Sequence, residues 1–273
     1  MLVRDFDFDL PESAIAQAAA PRGSSRLLRL DAAGAGRHAN IRDLPRYLRP
    51  GDLMIANDTR VIPARLFARR IGGRSGGRPD EGGAVELLLV EKLGPQRWHC
   101  LGKPGRKARL GARLRLSPEV EAVVVAKLED GRHTVEFSVE IEPHLEALGH
   151  VPLPPYIARA DAAEDRARYQ TVWAREPGAI AAPTAGLHFS QELLQRLDEQ
   201  GVERAFVTLH VGIGTFKPVT AELVHEHRME PERFDIPRAT AEAIARARRE
   251  GRRIVAVGTT VVRTLESAAL ASE

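Results

Sequence analysis

The pattern of apolar and polar positions changes twice along the chain. Up to about residue 63 it is mixed: residues 11–17 have the composition of a short helix, and 25–30 (SRLLRL) that of a short strand. The turn signal Arg49-Pro50-Gly51-Asp52 feeds an apolar run at 53–56, which stops abruptly at Asn57-Asp58-Thr59-Arg60, as a buried strand with a polar end would. From about 64 to 150 the apolar stretches are short and alternating, at 85–90, 113–116, 120–127 and 133–139, with Gly-containing turns between them. Strands at such spacing predict a barrel or sandwich. The Gly/Arg-rich stretch 71–83 reads as a flexible loop at its edge.

After Gly149 the period changes to that of helices alternating with strands. Ser190 stands at a helix N-cap position, Leu193, Leu194 and Leu197 form a helical stripe, and Gly201 is a stop signal. A strand at 205–211, a helix at 240–250, a strand at 253–257 and a helix from about Thr260 follow. The predicted fold is α/β: a layered domain with a largely parallel sheet, made of 1–63 and 151–273, interrupted by an inserted small β-barrel domain at 64–150. No internal repeat is visible.

Composition narrows the class. Hydrophobic residues make up 43% and charged residues 28% of 273, which excludes wholesale disorder and allows a substantial core. Lys+Arg 40 against Asp+Glu 37 leaves a net charge of +3, so any nucleic-acid surface must come from local clustering. The one cysteine, Cys100, excludes an internal disulfide framework and a multi-cysteine zinc site. The first residues lack the apolar core of a signal peptide, and no apolar run approaches the roughly 18 residues of a membrane span. A soluble, cytoplasmic protein with no membrane partner is expected.

Four polar segments follow or adjoin strands, where ligands bind in open parallel sheets. The first is Asn57, Asp58, Thr59 and Arg60, which by itself reads equally as a solvated turn. The second runs from Ala182 to Phe189 and includes Thr184, Gly186 and His188. There small residues admit a ligand to the backbone, and the positive end of the following helix favours a neutral His188. The alternative is a histidine capping that helix. The third holds His210, Gly212, Gly214 and Thr215, a possible anion nest without the third glycine or the immediate helix of a dinucleotide site. The fourth, Gly258, Thr259 and Thr260 with Arg263 one turn on, suits a carboxylate or phosphate, or is plain threonine capping.

His225, His227, Glu230 and Glu232 match no metal-site spacing, so no metal is expected. Two basic runs without an acid lie in the β-rich insert. One contains Lys103, Arg106, Lys107, Arg109, Arg113 and Arg115; the other contains Arg65, Arg69, Arg70, Arg74 and Arg78. Arg65, Arg69, Lys103, Arg106, Lys107 and Arg109 are the expected RNA contacts, because two such runs in one small barrel favour phosphate binding over a merely solvated face.

Taken together, the segments DFDFDLPESAIAQ (5–17), SRLL (25–28), PGDLMIANDTRVIPARL (50–66), GHVPLPPYI (149–157), DRARYQTVWA (165–174), AAPTAGLHFS (181–190), VTLHVGIGTFKPV (207–219) and AVGTTVVRTLES (256–267) resemble the S-adenosylmethionine:tRNA ribosyltransferase-isomerase family of queuosine biosynthesis. They occur in family order and cover nearly the whole chain. The resemblance implies an α/β domain with an inserted barrel. It also implies transfer and isomerisation of the ribosyl part of S-adenosylmethionine onto 7-aminomethyl-7-deazaguanine at the wobble position of tRNA, giving epoxyqueuosine, adenine and methionine. S-adenosylmethionine is then a co-substrate, no cofactor is expected, the RNA partner is the anticodon loop, and a monomer is expected. The family continues for several dozen residues with a Thr-Asn-Phe-His-Leu-Pro-type segment that this sequence lacks, and Glu230 stands where a histidine is usual. A truncated gene product or a shortened relative is therefore expected.

For that chemistry the sequence offers His188 or His210 as base at the acidified C5′ position. Thr184, Tyr169 or the other histidine could assist departure of adenine. Arg60 and the 258–263 segment could hold the methionine carboxylate. Rival readings are a non-catalytic RNA-binding relative and an S-adenosylmethionine-dependent methyltransferase, whose glycine-rich loop is absent from 25–60.

Overall fold

The apolar run after Asp52 forms the centre of a four-stranded sheet. In the computed structural model, strand Leu53–Asn57 is buried along its whole length and pairs in parallel with Glu203–Leu209 on one side and Ile254–Ala256 on the other. Phe234–Asp235 completes the edge antiparallel to Glu203–Leu209. The structure describes residues 1–75, 78–80, 82–216 and 219–271; the side chains of 73–75, 78–80 and 216 lie outside that description.

Strand period assigns the two faces of this sheet. Met54 packs toward helix Gln191–Glu199, against Leu193, Leu194, Leu197 and Phe189. Leu53 and Ile55 pack the other way, against Ala243 and Ala247 of helix Arg238–Arg249 and Val261 of helix Thr259–Leu270. Helices on both faces explain the unbroken apolar run, since a parallel strand covered twice has no solvent side. The Ser190 hydroxyl accepts the Leu193 N–H at 3.2 Å, and Gly201 takes a left-handed φ of 80° where the helix ends, as the sequence predicts.

The chain divides into two units: Met1–Val61, Pro154–Ala160 and Ala167–Glu273 form the first, Ile62–Leu153 and Asp161–Arg166 the second. In the second unit, strands Arg65–Ile71, Ala84–Gly94, Arg97–Lys103, His133–Phe137, Glu121–Lys127 and Arg113–Arg115 pair antiparallel in that order. Arg113–Arg115 returns to Arg65–Ile71, closing a six-stranded barrel, and the short strand Gly149–His150 joins the same sheet antiparallel at Arg65 and Leu66. Alternate residues, among them Leu66, Val85, Leu87, Cys100, Leu114, Val124 and Val135, are fully buried. Burial pushes the Cys100 thiol pKa up.

Two expectations need correction, and one expected strand has a partner that its sequence does not announce. The expected helix at 11–17 shrinks to one 3₁₀ turn, Glu12–Ala14, with no buried residue, so nothing offsets the cost of ordering a longer helix. Strand Arg26–Leu30 has a partner, Gly36–Asn40, whose polar sequence carries no alternation. The expected loop at 71–83 contains a short hairpin, Gly73–Ser75 with Arg78–Asp80, while 76, 77 and 81 lie outside the described residues. Among the described residues no helix is long and apolar enough to cross a membrane.

Candidate active site

A cavity of about 990 Å³ opens in the α/β unit. Its polar walls come from segments that follow strands. Val211 and Thr215 follow Glu203–Leu209, Gly258, Thr259 and Thr260 follow Ile254–Ala256, and Ala182 to Ala185 follow Glu176–Ala179. Leu27, Ile41, Leu44, Leu48, Met54 and Phe189 supply an apolar side. This is the carboxyl-end location expected for a ligand of a parallel sheet.

His188 and Tyr169 stand on the cavity wall. His188 closes the 3₁₀ turn Thr184–His188, and its Nδ1 lies 2.7 Å from Ser25 Oγ, a partner the sequence reading missed. Arg22 braces the same turn by donating to the Leu187 carbonyl at 3.2 Å. Burial pushes the Tyr169 phenol up to about 12, against the opposing effect of its hydrogen bond with the Ala182 backbone, so it remains a protonated donor at neutral pH.

Gly186 contributes packing rather than ligand access: a Cβ there would lie 2.7 Å from Thr171 Cγ2. Gly258, with φ of 89°, lies so near Ala185 that a Cβ would come within 3.0 Å of that residue's own. That close approach brings the His188 turn to the start of helix Thr259–Leu270. The helix has no side-chain N-cap bond, so its first N–H groups stay available to an anion.

The other expected site residues stand elsewhere. His210 is not among the cavity-lining residues. Its Nδ1 lies 2.8 Å from Thr59 Oγ1, and its ring covers Gly178, where a Cβ would approach within 2.8 Å. Burial lowers the His210 pKa, with Arg233 adding to the effect and Asp58 and Glu176 opposing it. Asn57 and Asp58 are buried, not solvated. Asn57 Nδ2 donates to the Leu209 carbonyl at 2.9 Å, and its Oδ1 accepts the N–H groups of Thr59 and Leu209 at 3.1 Å each. Asp58 accepts from Thr208 Oγ1 and pairs with Arg175, both at 2.7 Å. These residues tie two parallel strands together where the ladder ends, and Arg60 beside them is exposed.

The third segment is engaged within the protein. The Gly212 N–H donates to Glu232 at 2.8 Å, Gly214 lies against Glu230, and Arg263 pairs with Glu232 and donates to the Glu230 carbonyl. Arg263 is thus already neutralised and does not line the cavity. Lys217 and Pro218 lie outside the described residues. Among the described residues no group of three or more His, Cys, Asp or Glu side chains is placed to hold a metal ion.

On the barrel, Arg65 faces Glu86 at 3.3 Å and donates to the Leu153 carbonyl, and Arg113 and Arg115 both pair with Glu121. Arg65 is therefore a structural cation. Arg69, Lys103, Arg106 and Arg109 are exposed, and Lys107 is half-buried. The arginines at 74 and 78 have side chains outside the description.

The fold and site define a class: an α/β protein with an inserted barrel and a small-molecule cavity at the strand ends. The model of the queuosine biosynthesis protein family matches residues 3–273, and the chain belongs to that family. It is 52% identical to the S-adenosylmethionine:tRNA ribosyltransferase-isomerase of Gloeobacter violaceus, over 98% of this chain and 74% of that protein. Identity is 50% to the Carboxydothermus hydrogenoformans enzyme of the same name, covering 98% and 78%, and 49% to that of Thermus thermophilus, covering 96% and 76%. The crystal structure of the Thermotoga maritima S-adenosylmethionine tRNA ribosyltransferase is 33% identical, with a TM-score of 0.43, covering 97% of this chain and 73% of that one.

Proposed function

We propose that the chain is an S-adenosylmethionine:tRNA ribosyltransferase-isomerase. It transfers and isomerises the ribosyl moiety of S-adenosylmethionine onto 7-aminomethyl-7-deazaguanine at the tRNA wobble position, yielding epoxyqueuosine, adenine and methionine. The observation that carries this reading is the meeting of three family-matching segments, 181–190, 207–219 and 256–267, on one cavity with a histidine in its wall. Its volume of about 990 Å³ sits at the upper end of the range for small-molecule sites, and S-adenosylmethionine is a ligand of that class.

The residues divide the work by chemistry. The sulfonium acidifies the neighbouring C5′ hydrogen, and His188 is the base beside it. Tyr169 and Thr184 offer hydrogen bonds to the departing adenine. The methionine carboxylate lies at the N–H groups of Thr259 and Thr260, a role that falls to the helix start because Arg263 is paired. Apolar walls keep the attacking amine neutral, since a dry site disfavours its charged form.

The barrel holds the anticodon arm through phosphates, with Arg69, Lys103, Arg106, Lys107 and Arg109 as contacts. Arg69 and Arg115 face each other directly across neighbouring strands; Glu121 already relieves Arg115, which leaves Arg69 as the cation of that pair for a phosphate. In this reading S-adenosylmethionine is a co-substrate, no cofactor takes part, one copy of the chain suffices, and the enzyme works in the cytoplasm. The test is product identity with tRNA carrying the aminomethyl base. Adenine and methionine release supports the reading; S-adenosylhomocysteine, or no product, overturns it.

A further inference from the structure

Among the described residues lining the cavity, His188 is the one ordinary titratable side chain apart from Tyr156 and Tyr169, and none of them is a carboxylate, lysine or arginine. Proton transfer in this space therefore falls on one imidazole, and which ring nitrogen faces the substrate decides whether it works. Nδ1 is taken by Ser25 Oγ at 2.7 Å, and Nε2 has no hydrogen-bond partner among the described residues.

Ser25 is placed independently of His188. Its carbonyl accepts the Ile41 N–H at 2.9 Å, where strands Arg26–Leu30 and Gly36–Asn40 converge. Three residues earlier Arg22 donates to Leu187, the residue before His188, and also to the Arg168 carbonyl at 3.1 Å. Gly23, with φ of 76°, supplies the left-handed turn between these two grips. The 22–25 segment thus holds the His188 turn by its backbone and its ring.

We propose that Ser25 is a positioning residue for His188: its hydroxyl occupies Nδ1 and leaves Nε2 as the atom that exchanges protons in the cavity. The inference rests on the reading of the reaction given above. When Nε2 takes the proton that the substrate carbon loses, the electron pair stays on that carbon beside the sulfonium. The resulting imidazolium then donates Nδ1–H to the Ser25 oxygen. A hydroxyl accepts this bond without the negative charge of a carboxylate, so it orients the ring without holding it permanently protonated.

The test uses the full chain with Ser25→Ala, Ser25→Thr and Ser25→Asp, and two readouts. Ring-nitrogen NMR, with the His188 signals assigned by their loss in His188→Gln, reports the tautomer and titration of His188 without any substrate. Adenine release reports kcat, KM and the pH profile. Ser25→Ala is expected to mix the ring tautomers and lower kcat by on the order of tenfold or more, with KM unchanged. Ser25→Thr is expected to restore both, and Ser25→Asp to move the acidic limb of the pH profile upward. Unchanged ring signals in Ser25→Ala overturn the inference, as does a wild-type kcat. Absence of adenine release from the unaltered chain overturns the reaction assignment instead; the ring signals then decide the role of Ser25, altered in Ala and restored in Thr if it holds the ring, unaltered if it does not.

Discussion

Glu232 binds Arg263 with one carboxylate oxygen and the Gly212 backbone N–H with the other. The pair ties helix Thr259–Leu270 to the loop that supplies Val211 and Thr215 to the cavity wall. An arginine one turn into a helix beside a ligand site looks like a carboxylate receptor; here its carboxylate is already present in the protein.

Removing one partner should expose this coupling. Glu232→Ala strands a guanidinium whose side chain is 30% exposed, so the expected loss is moderate, about 1–3 kcal/mol. The double variant Glu232→Ala/Arg263→Ala should lose less than the two single losses summed. Urea unfolding of the four proteins measures it, and strictly additive losses would refute the pairing.

The two histidines should separate in kinetics. His188→Ala is expected to slow adenine release by about a hundred- to ten-thousandfold, the range for loss of a general base, while tRNA affinity holds. His210→Ala is expected to lower stability through its lost bond to Thr59 and to cost less than about tenfold in turnover, because its ring is not on the cavity wall. Equal losses in kcat from both would show that His210 also reaches the substrate.

Salt dependence checks the barrel. Neutralising Arg106, Lys107 and Arg109 together should weaken tRNA binding and flatten the plot of log affinity against log salt by roughly one unit per lost phosphate contact. Neutralising Arg113, already paired with Glu121, should change the slope less. An undiminished slope in the triple variant would place the RNA elsewhere.

His133 should make the barrel acid-sensitive. It is 2% exposed, its two ring nitrogens have no hydrogen-bond partner among the described residues, and burial first and Lys127 second push its pKa below the ordinary 6.5. The unfolded chain thus takes up this proton at a higher pH than the folded one. Stability contributed by keeping the ring neutral is present above about pH 6.5, falls as pH drops toward the folded-state value, and levels off below it. The slope is at most about 1.4 kcal/mol per pH unit for one proton. His133→Phe should remove that part of the slope in chemical unfolding between pH 7 and 5; an unaltered slope would refute the assignment.

The fold was legible where a single local rule governs. The run at 53–56 announced a strand buried on two faces, Ser190 and Gly201 bounded a helix, and alternation at 85–90 and 120–127 announced the barrel. Each signal lies within a few residues of the element it specifies. Gly36–Asn40 escaped because its partner strand, not its own pattern, makes it a strand. Residues 11–17 misled for the converse reason: helix-compatible composition found no surface to bury.

At the site the sequence determined the ingredients. It placed His188, Thr184, Thr215, Gly258, Thr259 and Thr260 in segments near strand ends and named Tyr169 from the chemistry the resemblance implies, and all of them line one cavity. Only the tertiary structure decided which neighbouring polar residues were already engaged. Asn57 and Asp58 complete the ends of two strands, Arg263 is neutralised by a glutamate 31 positions away, and His210 turns to Thr59. Ser25 lies 163 positions from the ring it binds. Hydrogen bonds form within about 3 Å whatever the sequence separation, so the partner that frees or occupies a side chain is set by how the sheet brings distant loops together.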